Sequence, residues 1–456
     1  MYDLIPNRHL KNPPIYGFID LKIHNDSLRS DAAIPRTRFC SDKTVPQLPE
    51  FRMTHHSVPG KNLNYRKVTS NRIERMPESS TVAIADIAAE RRRRGDSVVD
   101  MSAGRASEST HQYICDAAVA ALAAGETHQT AARGIPDYLI ACAAKLEREN
   151  GLKLDPMSEV IATLGCKQRL LLALFAILDP GDEIIIEDPH FVSYTPVIEL
   201  CGGTAVPVPA QPENGYRWTY SELTAAVTAK TRAILFCSPN NPLGIVHTHD
   251  DLEVIQRVAT ENNLTVISDE IYDASVWGER KHIPIASLPD MSKRTIGLMG
   301  MTKSYSMGGW RIGYAYADSR YISKMLVVQQ HIATCASSIA QRAGVAALSP
   351  QGIEYMSPIW EDWESRCMYV ADEINKIEPL STQRPEGTFY AWVNISNTGL
   401  SSLTFAKLLL ERKNVAVIPG QAFGTNVDGF IRLTCVRSWS ELKDGLERIA
   451  SFVASI

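Results

Sequence analysis

Four short segments carry residues whose types and spacing could do chemistry. The most informative is Met301-Thr302-Lys303-Ser304-Tyr305-Ser306-Met307-Gly308-Gly309-Trp310-Arg311-Ile312-Gly313-Tyr314. It follows an apolar run, so Lys303 stands at a strand end among small residues, where an amine can serve as a nucleophile. Arg311 follows a Gly-Gly turn that lets its guanidinium fold back, and its planar, bidentate donors suit a phosphate dianion. In Ser268-Asp269-Glu270-Ile271-Tyr272, Asp269 closes another apolar run. A carboxylate there costs free energy unless it is paired, and a buried cationic N–H is its natural partner. Ser238-Pro239-Asn240-Asn241-Pro242-Leu243-Gly244 turns the chain directly after a strand and points an amide back over the sheet edge. Leu164-Gly165-Cys166-Lys167-Gln168 reads as strand, glycine turn and helix start, whose free backbone N–H groups make an anion site.

Each segment sits at the C-terminal end of a predicted strand or in the loop after it, the edge at which open parallel sheets bind ligands. The strands are short apolar runs: Val160–Leu164, Glu183–Asp188, Arg232–Cys237, Leu264–Asp269 and Thr295–Met301. Helical periods separate them, over Lys167–Leu178, Ser221–Thr228 and Asp250–Asn262, so the pattern predicts βαβ units and a mostly parallel, buried sheet. Earlier, Pro136 opens a helix that Gly151 ends, and another helical period begins at Thr81. After Gly313 the chain reads as helical over roughly Ser319–Ile377. It closes with strands Phe389–Asn394, Val415–Ile418 and Phe430–Cys435 and helices Ser402–Glu411 and Ser440–Val453, the size of a smaller α+β domain.

Composition bounds the function. The 456 residues are 45% apolar and 21% charged, an ordinary globular balance. A formal charge of −4 gives no basic field for nucleic acid or an anionic membrane. The longest apolar run, Leu170–Leu178, is far short of the ~20 residues that cross a bilayer, and Met1–Leu10 has no secretory pattern. Nine cysteines scattered from Cys40 to Cys435, with no CxxC pair, predict reduced thiols in a cytoplasmic compartment. His247-Thr248-His249-Asp250-Asp251 looks like a metal cluster, but it precedes a helix and reads as its N-cap, so no metal site is expected.

Together the four segments, in their chain order, resemble the pyridoxal-phosphate enzymes of fold type I, specifically the class I/II aminotransferase family. The likeness runs from about Ile84 to the C-terminus. It implies an α/β fold: a large domain with a mostly parallel sheet of the seven-stranded type between helices, plus the smaller α+β domain. The divisions become a Pro-rich arm over 1–78, the first part of the small domain with a substrate-pocket loop over 79–130, a cofactor domain over 131–350 and a C-terminal small domain over 351–456. By the same resemblance Lys303 holds pyridoxal 5′-phosphate as a Schiff base and moves the proton at the substrate Cα. Asp269 pairs with the pyridine nitrogen, and Tyr272 and Asn241 bond the phenolic oxygen. Arg311 holds the phosphate with the backbone at Gly165, Cys166 and Lys167. Phe191 stacks on the ring, Arg432 clamps the substrate α-carboxylate, and Gly104 lets backbone approach the substrate. For Phe191 plain core packing stays open, as does a sheet-edge position for Arg432. A homodimer with shared active sites, acting on an amino acid and an oxo acid, completes what the resemblance implies.

Two positions depart from the family's pattern. Gln129 stands where a tyrosine usually reaches the neighbouring subunit's phosphate. Arg105 follows Gly104 where an acidic-proline stretch is usual, and at the pocket mouth it could read a second acidic or phosphorylated group. These departures motivate an alternative outcome on the same cofactor: a lyase or carbon–carbon bond-forming synthase, on a substrate such as one resembling S-adenosylmethionine. A non-catalytic effector-binding module joined to a winged helix is a further alternative. Met1–Glu78 shows no three-helix apolar period to support it.

Overall fold

The computed structural model describes residues 69–74 and 76–456. The arm read over 1–78 lies outside the described residues except for its last few, which include a four-residue helix, Asn71–Glu74.

The large sheet is built by seven strands, β2 (Val160–Thr163), β3 (Glu183–Asp188), β4 (Thr204–Pro209), β5 (Thr231–Cys237), β6 (Thr265–Asp269), β7 (Thr295–Gly300) and β8 (Gly313–Ala317), after a two-residue strand β1 (Val99–Asp100). Their order is β2-β8-β7-β6-β5-β3-β4. All neighbours pair in parallel except β8, which runs antiparallel to both β2 and β7. The apolar runs make this possible because the sheet is covered on both faces. Ile184, Ile186, Leu235, Ile267 and Leu298 pack into a core on one side, with Leu170, Leu172 and Leu174 of helix Cys166–Ile177. The alternate residues Ile185, Ile234, Phe236 and Val266 pack into a core on the other.

Two strands of this sheet have no apolar run to announce them. Thr204–Pro209 contains two prolines, which remove ladder donors and read as a turn; it forms the β4 edge, where proline is tolerated. Gly313–Ala317 alternates tyrosine with alanine. Tyr316 is accommodated only because Gly297 faces it across the ladder: a Cβ on Gly297 would lie 2.0 Å from the Tyr316 ring.

The smaller sheet is antiparallel in the order β12-β13-β10-β9, with β9 (Ser381–Thr382), β10 (Tyr390–Asn394), β12 (Ile418–Pro419) and β13 (Phe430–Thr434). β11 (Val415–Ala416) pairs in parallel with β1. The long helical stretch read over Ser319–Ile377 is three helices, Ser319–Ile332, Ser338–Leu348 and Pro350–Ile374. Thr334 takes a left-handed φ of 64° at the first break, and Ser337 and Ser349 cap the helices that follow, the latter just before Pro350. Among the described residues no helix is long and apolar enough to cross a membrane. Thr248 caps helix His249–Glu261 in a reciprocal capping box with Asp251.

Candidate active site

The ends of β5, β6 and β7 and the loop after β1 meet at one place, and β10 and β13 of the smaller sheet close it. Lys303, three residues past β7, is half-buried, and its Nζ donates to the Gly104 carbonyl oxygen. Glycine is required opposite it: a Cβ at position 104 would lie 3.3 Å from Lys303 Nζ and 2.9 Å from the Tyr390 hydroxyl. Tyr390 opens β10, and its hydroxyl lies 3.0 Å from that of Tyr272. Both rings are buried.

The two phenols are driven apart. Burial pushes the Tyr272 hydroxyl well above its ordinary value, and the neighbouring Tyr390 adds to this. Burial acts the same way on Tyr390. There the Lys303 ammonium and the Arg432 guanidinium outweigh it, and with the bond from Tyr272 they hold the phenol below its ordinary value.

Arg432 on β13 is 3% exposed, so it is no surface-edge arginine. It donates from Nη1 to Asn241 Oδ1 at 2.9 Å and from Nη2 to the Ser102 carbonyl at 3.1 Å, and its guanidinium lies 4.1 Å from the Tyr390 ring centre. Its Nε is buried with no partner. Asn241 can face Arg432 because its neighbour closes the turn. Asn240 accepts from the Leu243 N–H at 3.2 Å and donates to Glu187 at 2.8 Å.

Asp269 ends β6, its carboxylate directed at two donors. Oδ1 accepts from Arg169 Nη2 at 2.9 Å, and Oδ2 accepts from the Tyr194 hydroxyl at 2.9 Å. Burial and then the Asp269 charge push the Tyr194 phenol well up, so it remains a donor. Phe191 stands edge-on to Tyr194 at 5.6 Å, which brings it to the site through that tyrosine.

A third cluster suits an anion. Gly165, with φ +82°, precedes helix Cys166–Ile177, and no side chain caps the N–H groups of Cys166 and Lys167. Arg311, itself left-handed at φ 53°, packs over this turn, donating from Nη2 to the Leu164 carbonyl at 3.2 Å and from Nη1 to Gly308 at 3.1 Å. A Cβ on Gly165 would come within 2.7 Å of Nη2. Next to Lys303, Thr302 Oγ1 is buried with no partner. Uncapped N–H groups, a guanidinium and an unsatisfied hydroxyl are the donor set that a phosphate dianion takes.

The fold thus gathers Lys303, Gly104, Tyr272, Asn241 and Arg432 into one contact network, with Asp269 and Phe191 joined through Tyr194 and with Gly165, Cys166, Lys167 and Arg311 at the helix start. Arg105 is exposed and lines a cavity of about 470 Å³ together with Thr302, Ser306 and Arg437. Gln129 is exposed on the loop before helix Pro136–Asn150 and bonds none of the other expected residues. Sequence reasoning missed four members, the first being Thr302, which was passed over beside Lys303. Tyr390, beside Phe389 on a buried strand, looks like core. Tyr194 follows Phe191 by one helical turn and carries no motif. Arg169 did leave a signal, a lone charge beside the run Leu170–Leu178, because such a charge needs a buried counter-ion.

The sequence profile of the family described as aminotransferase class I and II matches residues 96–449. An aspartate aminotransferase of Pyrococcus abyssi is 36% identical over 384 residues, 83% of this chain and 97% of that protein. Aromatic-amino-acid aminotransferase 2 of Thermococcus litoralis is 36% identical over 358 residues, 78% of this chain and 91% of that protein. Among solved structures, aspartate aminotransferase from Thermus thermophilus with maleate superposes with a TM-score of 0.81 at 35% identity, covering 85% of this chain and all of that one.

Proposed function

Because this chain belongs to the aminotransferase class I and II family, we propose that it moves an amino group from an amino acid to a 2-oxo acid with pyridoxal 5′-phosphate attached at Lys303. Amino transfer itself follows from the family; the cofactor and the residue roles are the proposal. One observation carries it: the Lys303 amine bonds the Gly104 carbonyl and the Arg432 guanidinium bonds the Ser102 carbonyl two residues before it, while Asp269 ends the strand beside the one that leads to Lys303. The Gly165 turn, with the Arg311 guanidinium packed over it, offers the donors that a phosphate takes.

When bound, pyridoxal phosphate supplies a conjugated ring that withdraws electrons from the amino acid's Cα. The chain's own residues do the rest. Arg311, Thr302 Oγ1 and the N–H groups of Cys166 and Lys167 hold the phosphate. Phe191 would cover the ring, Asp269 would face its nitrogen, and Asn241 and Tyr272 would bond its phenolic oxygen. Arg432 takes the substrate α-carboxylate in place of the bond it now makes to Ser102, which orients the Cα–H towards Lys303. Lys303 Nζ moves the proton at Cα. Two copies of the chain in the cytoplasm, sharing their active sites, complete the reading, as do the two-part division of 79–456 and a Gln129 that serves the neighbouring copy's phosphate.

Incubation of loaded enzyme with one amino-acid donor and no acceptor tests the reaction. Aspartate and the aromatic amino acid phenylalanine are the first donors, after the relatives' names. One oxo acid per chain without ammonia is the expected result for an active donor; continuing ammonia release would mean elimination instead. No observation favours the lyase, synthase or effector-module readings.

A further inference from the structure

The carboxylate expected to face the cofactor's ring nitrogen already has a cation. Arg169 is fully buried in the first turn of helix Cys166–Ile177, and its Nη2 bonds Asp269 Oδ1 at 2.9 Å. Its Nε and Nη1 have no partner. The space for it comes from two glycines: a Cβ on Gly300 or Gly313 would lie 2.8 or 3.4 Å from Nη1. A buried guanidinium with unsatisfied N–H groups is costly, and an apolar side chain would fill the same space without that cost. The charge therefore has one use on view, the Asp269 carboxylate.

The groups that face this pair are few. Tyr194 donates to Asp269 Oδ2. Cys237 lies beside Asp269 in the β5–β6 register, and Tyr138 interacts with Arg169. Burial pushes all three well above their ordinary values, so they stay neutral; beyond them the buried Glu187 carboxylate accepts from the Cys237 N–H at 3.1 Å, and it is the same in wild type and variants.

Resting on the cofactor reading above, we propose that Arg169 is a positioning residue that makes Asp269 a shared carboxylate, one anion between the guanidinium and the ring nitrogen, so that the ring proton is held more weakly than an unshared carboxylate would hold it. The physical ground is Coulombic. A fixed positive charge behind the carboxylate, in a site closed to water, disfavours a second positive charge in front of it. Tyr194, by bonding the other oxygen, draws further on the same negative charge.

The test is a pH titration of the ring nitrogen by NMR in full-length protein loaded with nitrogen-labelled pyridoxal phosphate, for wild type, Arg169→Met and Arg169→Lys. In wild type the ring nitrogen loses its proton as the pH is raised through the neutral range. In Arg169→Met the midpoint moves up by about one pH unit or more, and Arg169→Lys, which restores the charge, returns it towards wild type. A merely structural arginine would lower stability and leave the midpoint in place. Equal midpoints in wild type and Arg169→Met would overturn the proposal. So would a wild-type ring that stays protonated to the alkaline limit of folding, a measurement that stands even if Arg169→Met does not fold. A ring bound normally but titrating alike in both proteins removes the sharing alone. A wild-type protein that takes up no labelled cofactor removes the cofactor reading and the proposal with it.

Discussion

Tyr390 shows how one residue's ionisation reports the whole site. Its phenol is buried, which alone would raise it, yet two cations and the Tyr272 hydroxyl bring it below its ordinary value. The sign follows from which form the neighbours favour: cations stabilise the phenolate, so the proton leaves at lower pH than from a free tyrosine. In cofactor-free protein, ultraviolet difference titration is predicted to show one tyrosine ionising below the ordinary value of about 10. That early phase is lost in Tyr390→Phe, and in Lys303→Ala it moves back up because the nearest cation is gone. A second residue-scale prediction concerns Arg432. Its replacement by Ala leaves the substrate carboxylate unpaired, and kcat/KM for the preferred donor is predicted to fall by about 100-fold or more, a loss of about 3 kcal/mol of transition-state binding. Lys303, Asp269 and Arg311 were legible in the sequence because their segments combine strand ends with residue types that make little sense as core. Tyr390 was not, because an aromatic pair on an apolar strand looks the same whether it packs or binds. Its role depends on what the fold sets against it, and Lys303 and Arg432 are far from it in the chain.

At the scale of elements, the helix Cys166–Ile177 serves both ends of the site. Its N-terminus faces the anion cradle, and its first turn carries Arg169 to Asp269. Gly165→Ala places a methyl against the Arg311 guanidinium and strains a left-handed backbone. The prediction is a rise in the dissociation constant for pyridoxal phosphate of about tenfold or more, read by fluorescence titration of cofactor-free protein, with far-ultraviolet circular dichroism unchanged. A different element pair carries stability. Lys145 on helix Pro136–Asn150 is 2% exposed and pairs with Asp273, just past β6. Lys145→Met leaves that carboxylate buried without its cation and is predicted to destabilise the fold by about 3–5 kcal/mol, measured by urea unfolding of loaded protein. The parallel strands were legible because both faces are covered and the runs are continuously apolar. β4 was hidden by its prolines and β8 by its Tyr/Ala alternation. The breaks in the long helical stretch were hidden because Ser337 and Ser349 read as ordinary polar positions until the chain turns there.

At the scale of the molecule, several large apolar side chains remain exposed on the single chain. Val119 and Leu122 on helix Gln112–Ala123 are 60% and 52% exposed, and Ile140 on the next helix is 52% exposed. The proposed pairing of two chains predicts that these side chains are covered. The prediction is a sedimentation coefficient of two chains for the wild type and of one for Val119→Asp with Leu122→Asp. The family and the broad architecture were legible from four segments in order along the chain. The counter-charge behind Asp269 was not, because its two partners lie on separate elements and only the folded sheet sets them together. The central claim remains the attachment of pyridoxal phosphate at one amine, and it has a direct chemical readout. Protein incubated with pyridoxal 5′-phosphate, reduced with borohydride and digested, is predicted to yield one modified peptide, carrying the reduced cofactor on Lys303. Protein that stays colourless and yields no such peptide, or yields it unchanged from a Lys303→Ala chain, would contradict the account.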